Sequence, residues 1–186
     1  MTQPTEERST QAAAPLIVVM GVSGSGKSTI GELIADRLGV PFVDADSLHP
    51  TANVEKMASG TPLTDTDRWP WLAKVGQVLA AADGGLVVAC SALRRRYRDA
   101  ILAEAPAALF VHLSGSREVL SSRVEGRSGH FMPAALLDSQ FATLEPLDAD
   151  EPGVIVDISP GVTEILTDAV SRVRAHLASG DGRASV

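Results

Sequence analysis

Eight consecutive residues carry the clearest chemistry in this chain. Gly21, Val22, Ser23, Gly24, Ser25, Gly26, Lys27 and Ser28 fit the pattern GxxxxGK[ST] in full. Glycines at that spacing let the backbone fold around an anion with several N–H groups pointing inward. A helix beginning at Lys27 adds the positive end of its dipole. Lys27 is expected to reach the β- and γ-phosphates of a nucleoside triphosphate, and Ser28 to place its hydroxyl on Mg²⁺. Thr29 completes the expected nucleotide-binding run. A dinucleotide fingerprint is excluded, because Thr29 stands where its last glycine belongs.

Acids and arginines elsewhere suit the same chemistry. Asp44 and Asp46 follow a short apolar stretch and, read as extended chain, project from one face. One carboxylate can hold Mg²⁺ through water while the other accepts the proton of a substrate hydroxyl. Arg123 and Arg127 lie four apart and share a face if helical. With the small and helix-breaking residues after them they read as a lid over about 123–133 that closes on ATP and excludes water. Arg94, Arg95, Arg96 and Arg98 form a dense basic run, most of which a solvated helix face explains. One inward arginine would grip a carboxylate with two bonds, and Arg68 is a second candidate for that role. His49, before Pro50, reads either as a turn cap or as a catalytic group, and His130 either as a substrate contact or as part of the lid. Cys90 reads as a small buried residue, and Trp69 and Trp71 as anchors of a helix start in the core.

The elements that must position these groups alternate. Residues 16–20, 42–46, 86–90, 109–113 and 154–158 read as strands. Residues 29–38, 50–59, 71–82, 93–103, 118–125, 134–144 and 163–177 read as helices. That alternation predicts an α/β fold with a parallel sheet covered on both faces. Ligands then bind at the carboxyl ends of the strands. Residues 1–14 and 179–186 lack apolar periodicity and read as disordered tails, leaving one domain over 15–178.

Composition narrows the function further. The 186 residues carry 16 Lys plus Arg against 23 Asp plus Glu, a net charge of −7. A nucleic-acid partner is disfavoured, because such domains show a basic face and a high pI. The single cysteine excludes an intrachain disulfide and a cysteine-based zinc site. No apolar run reaches the length of a membrane span, and the polar start lacks a secretory signal. A cytoplasmic protein is expected, with no membrane partner. The Asn/Thr-Lys-x-Asp element by which GTPases read guanine does not follow the third strand, and motors and helicases are much larger. A small-molecule kinase is the class that remains.

Four segments together resemble the gluconokinase family of P-loop kinases: MGVSGSGKS, FVDADSLHPTANVEKMASGTPLTDTDRWPWL, CSALRRRYRD and GHFMPAALLDSQFATLEP. The resemblance spans nearly all of 16–177, and the long second block is its most specific part. It implies a P-loop NTPase of the nucleoside-monophosphate-kinase-like type, with a five-stranded parallel sheet, helices on both faces and a lid. It implies transfer of the ATP γ-phosphate to the 6-hydroxyl of D-gluconate, and a homodimer. Carried across by motif, Asp46 faces the sugar acid and Asp44 lies near Mg²⁺. His49, Arg68, Arg98 and His130 are candidates for the polyol and carboxylate, and Arg123 and Arg127 match the lid arginines. The chain departs from the pattern at Ala103, where bacterial members often carry an arginine. A shikimate-kinase-like enzyme acting on another small hydroxy acid is the alternative. It typically has a Gly-rich turn where this chain has Cys90-Ser91-Ala92-Leu93. A nucleotide-sensing module without turnover is the alternative from another class.

Overall fold

The computed structural model describes residues 14–125 and 134–180. Five strands form one sheet: β1 (Leu16–Met20), β2 (Phe42–Asp44), β3 (Leu86–Ala89), β4 (Leu109–Ser114) and β5 (Gly153–Asp157). All pairs are parallel, in the order β2-β3-β1-β4-β5. The helices are α1 (Lys27–Leu38), α2 (Thr51–Ala58), α3 (Asp65–Ala80), α4 (Arg95–Glu104), α5 (Arg117–Glu125), α6 (Ala134–Thr143) and α7 (Val162–Gly180). The parallel α/β sheet expected from the alternation is therefore observed. Helix α7 runs two residues into the segment read as the C-terminal tail. Of the expected lid, 126–133 lies outside the described residues.

Alternation along β1 divides the core. Ile17 and Val19 join Val87, Leu109 and Val111 against Ile30 and Ile34 of α1 and Ile165, Ala169 and Val173 of α7. Val18 and Met20 join Val88 and Phe110 against Leu72, Val75 and Leu79 of α3 and Tyr97 and Ile101 of α4. Both faces of the sheet are thus covered, which is why its strands read as unbroken apolar runs. From β1 the chain crosses to β2 on one side, while β4 lies on the other. The loop after β1 therefore opens at the point where the strand order reverses, the usual place for a ligand in such sheets.

One helix start differs from the sequence expectation. Helix α3 begins at Asp65, not Trp71. Thr64 caps it, and its hydroxyl and the Asp67 carboxylate satisfy each other's backbone N–H. Pro70 sits inside the helix without ending it. Trp71 is buried as expected, but Trp69 is 38% exposed and stands edge-on to Tyr97.

Arg98 is a correction. It points into the protein, fully buried, and cannot meet a substrate. Its Nε donates to Glu151 Oε1 (2.5 Å) and its Nη2 to Glu151 Oε2 (2.8 Å) and Pro146 O (3.4 Å). Its Nη1 donates to Ala92 O (3.2 Å) and Glu145 O (3.0 Å). Every guanidinium hydrogen is committed. Arg98 ties the turn after β3 to the segment after α6. Ala92, at φ 42° in the left-handed region, is held by that bond. Burial pushes the Glu151 carboxyl up, yet the Arg98 hydrogen bonds and the Asp148 N–H outweigh it and hold it below the usual range.

Removing one partner of a buried pair strands the other's charge. Glu151→Ala should therefore lower unfolding free energy by about 3–5 kcal/mol in urea titrations. A loss under about 1 kcal/mol would contradict this account. His112, 2% exposed on β4, gives a pH test. Burial pushes its imidazole down to about 4, and the charge of Arg98 adds to the effect. Below the unfolded value of about 6.5 only the unfolded chain takes up this proton, so stability falls as pH drops towards 4. His112→Phe should flatten that part of the stability–pH curve relative to the wild type. An unchanged slope would refute the assignment.

Candidate active site

The loop between β1 and α1 is built by close approach. A Cβ on Gly21 would lie 2.8 Å from Leu113 O, and the Gly21 N–H donates to Ser91 O (3.3 Å). Gly26, at φ 91° and ψ 22°, caps α1 in the left-handed region, where only glycine is at ease. The loop is thereby fastened to both neighbouring strands, and α1 points its N-terminus at the enclosed space.

Asp44 ends β2 and links two parts of this site. Its Oδ2 accepts from Ser28 Oγ (2.8 Å), and its Oδ1 from the Asp46 N–H (3.1 Å). The second bond caps a 3-10 turn over Ala45–Leu48. The expectation that Asp44 and Asp46 share one face of a strand is therefore corrected, because the chain turns between them. They nonetheless meet in one cavity of about 270 Å³, lined by Ser23, Lys27, Ser28, Asp44, Asp46, Ala89, Cys90, Ser91 and Gln140. Lys27 Nζ donates to Val22 O (3.1 Å) across the loop.

Next to Asp46 lies a second group of polar side chains. The His49 ring stacks on Trp71 at 4.1 Å, and Trp71 Nε1 donates to Ala45 O (2.7 Å). Asn53 Nδ2 lies 3.3 Å from His49 Nδ1 and donates to Asp67 O (2.9 Å). Burial pushes the His49 imidazole down, the Asp46 charge raises it and the Arg68 charge lowers it further. His49 thus lies within the electrostatic reach of both predicted substrate groups. Arg68 is half-buried, with its guanidinium 5.7 Å from the Tyr97 ring centre and Nη1 3.4 Å from the Tyr97 hydroxyl. Arg94 and Arg96 approach the same ring. Arg96 also pairs with Asp65, and Arg95 with Asp148 and Asp150. Within the basic run, Arg94 and Arg96 thus share Tyr97 with Arg68, while Arg95 reaches the exposed Asp148 and Asp150.

On the other side of the loop, Arg123 donates from Nη2 to Ile158 O and to Pro160 O (3.2 Å). It lines a cavity of about 320 Å³ with Gly24, Gly26, Thr29, Ile30, Gly161 and Val162. Arg127 and His130 lie outside the described residues. The sequence reading missed three contributors. Ser91 receives the Gly21 N–H, the 160–162 loop forms one wall of the second cavity, and Gln140 reaches the loop at Ser23. Gln140 stood inside the quoted SQF segment, but nothing in its spacing assigned it a partner.

The oxygen donors of Ser28 and Asp44 fit a hard divalent cation such as Mg²⁺. Among the described residues no group of three or more His, Cys, Asp or Glu side chains could cage a metal.

A phosphate loop at the sheet's switch point, with an acid pair and polar side chains beside it, defines a P-loop kinase. Residues 16–147 match a family model described as an AAA domain. The gluconokinase of Gluconobacter oxydans is 44% identical over 176 residues, covering 92% of this chain and 99% of that protein. The thermosensitive gluconokinase of Escherichia coli is 40% identical, covering 93% and 97%. The crystal structure of a gluconokinase from Sinorhizobium meliloti superposes with a TM-score of 0.84 at 47% identity, covering 95% of this chain and all of that one. The chain belongs to the gluconokinase family. No helix among the described residues is long and apolar enough to cross a membrane.

Cys90 lines the first cavity yet is 2% exposed. Burial pushes its thiol up to about 12, against an opposing hydrogen bond from the Ala92 backbone. It is a packed, neutral group, as the sequence suggested. Iodoacetamide at pH 8 should leave the folded protein unmodified and alkylate Cys90 once urea unfolds it. Rapid labelling of the native protein would contradict this description.

Proposed function

We propose that this protein transfers the γ-phosphoryl group of ATP to the 6-hydroxyl of D-gluconate, giving 6-phospho-D-gluconate and ADP. One observation carries the reading. In a chain of the gluconokinase family, a single cavity brings Lys27, Ser28 and Asp44 of the nucleotide side together with Asp46 of the acceptor side.

Gluconate offers a carboxylate and several hydroxyls. A pocket with both carboxylates and guanidinium groups suits it. Asp46 orients the attacking hydroxyl and accepts its proton as the new O–P bond forms. The bond from the γ-phosphorus to the β–γ bridging oxygen breaks, and ADP leaves. Loose phosphoryl transfer places little demand on the strength of that base. His49 and Arg68 contact the polyol and carboxylate. Lys27 and the backbone N–H groups of the loop hold the phosphate oxygens. Ser28 and Asp44 would hold Mg²⁺, which supplies neutralisation of phosphate charge when bound. Arg123, beside Gly24, Gly26 and Thr29, adds positive charge on the nucleotide side.

The lid over 123–133, with Arg127 and His130, belongs to this reading through the family resemblance. So does the homodimer, while a cytoplasmic location rests on the sequence.

Two measurements test the proposal. ADP release with Mg-ATP should depend on gluconate and not on shikimate, glucose or AMP. Preference for shikimate would overturn the substrate, and ATP binding without release for any acceptor would favour the sensing module. Lys27→Ala should lower kcat by on the order of 10²–10³, the usual effect of deleting one electrostatic stabiliser. Near-wild-type turnover in that folded variant would refute the role given to the loop.

A further inference from the structure

Gln140 is the one side chain lining the reaction cavity, among the described residues, that comes from beyond β4. It sits half-buried on α6 and grips Ser23, 117 positions earlier, with both ends of its amide. Its Oε1 accepts the Ser23 backbone N–H at 2.6 Å, and its Nε2 donates to Ser23 Oγ at 3.0 Å. Ser23 is the third residue of the phosphate loop. Two residues further on, the Ser25 N–H closes a turn on Val22 O (3.2 Å). A side chain from a distant helix therefore holds the outer bend of a glycine-rich loop that has few side chains of its own to fix it.

Helix α6 is itself held. Leu137 and Phe141 of α6, and Leu144 just after it, pack on the hydrophobic core. Just beyond it, the Glu145 N–H donates to Leu93 O (2.7 Å), and Glu145 Oε2 accepts the Arg95 N–H (2.7 Å) at the start of α4. Gln140 thus presents its amide from an anchored element, so its two bonds can locate Ser23 rather than follow it.

We propose that Gln140 is a positioning residue for phosphoryl transfer. It fixes the Ser23 bend of the phosphate loop, and through it the place where the terminal phosphoryl group meets the acceptor hydroxyl. The inference rests on the kinase reading above and adds a residue to it. Nucleotide affinity depends mainly on the rest of the loop and on Lys27. Loss of Gln140 therefore acts on alignment, where a displacement of about 1 Å can cost on the order of 10²-fold in rate.

The test uses the full-length protein and Gln140→Ala, with alanine well suited to a helix interior. Three quantities are read: amide exchange at Ser23 by NMR, ADP affinity by calorimetry, and kcat with gluconate. The variant should speed Ser23 exchange at least tenfold, leave the ADP Kd within about threefold, and lower kcat by about 10- to 100-fold. Ser23→Ala keeps the backbone bond and loses only the Oγ contact, so it should cost less. Adding it to Gln140→Ala should cost little more than Gln140→Ala alone, the non-additivity expected of direct partners. It also serves as the probe should Gln140→Ala fold poorly. A kcat within twofold of wild type would overturn the proposal. So would an ADP Kd that weakens in step with kcat, which would mark Gln140 as mere support for nucleotide binding. If wild-type protein ignores gluconate, the kinase reading fails before any variant is made. The rate of ATP hydrolysis with water as acceptor then replaces kcat in the same comparison.

Discussion

The hydrogen bond from Ser28 Oγ to Asp44 Oδ2 joins the start of α1 to the end of β2, and the site is arranged around it. One carboxylate does two things there. Its first oxygen faces the phosphate loop, and its second caps the turn that carries Asp46 into the same cavity. Nucleotide side and acceptor side are thus set relative to each other by one side chain on a rigid strand end. Loss of Asp44 would remove a donor to a cation and also the cap that places Asp46.

The surrounding structure keeps that junction from drifting. Gly21 donates to Ser91 O after β3, and its backbone lies too close to Leu113 O of β4 to admit a Cβ. Arg98, buried with Glu151, ties the turn after β3 to Glu145 and Pro146. A buried ion pair gives little net stability over a well-packed apolar substitute. Here it joins two segments that both border the cavity: Cys90 and Ser91 on one side, and the end of α6 with Gln140 on the other. The arginine that sequence motifs offered to the substrate works one layer behind it.

Most of the framework was legible in the sequence, for reasons that are local. Unbroken apolar runs mark strands covered on both faces, and the glycine spacing with Lys27 and Ser28 marks a phosphate loop. What failed depended on contacts far along the chain or on a turn with no loud signal. Asp46 was read as strand because extended chain was assumed through Asp44, whose capping of the next turn is visible only in its bond to the Asp46 N–H. Helix α3 starts six residues before the expected Trp71, at the Thr64–Asp67 capping pair, and runs through Pro70. Among four clustered arginines, only burial shows that Arg98 turns inward, since its partner Glu151 lies 53 residues away. Gln140 was invisible for the same reason, its partner Ser23 being 117 residues distant.

The central claim is that this cavity delivers the terminal phosphoryl group of ATP to the primary hydroxyl of gluconate. The most direct measurement is a proton-coupled phosphorus NMR spectrum of the product made from Mg-ATP and D-gluconate. The account predicts a phosphate ester whose phosphorus couples to the two protons of the C6 methylene. Coupling to a single methine proton, or inorganic phosphate as the sole new phosphorus species beside ADP, would contradict it.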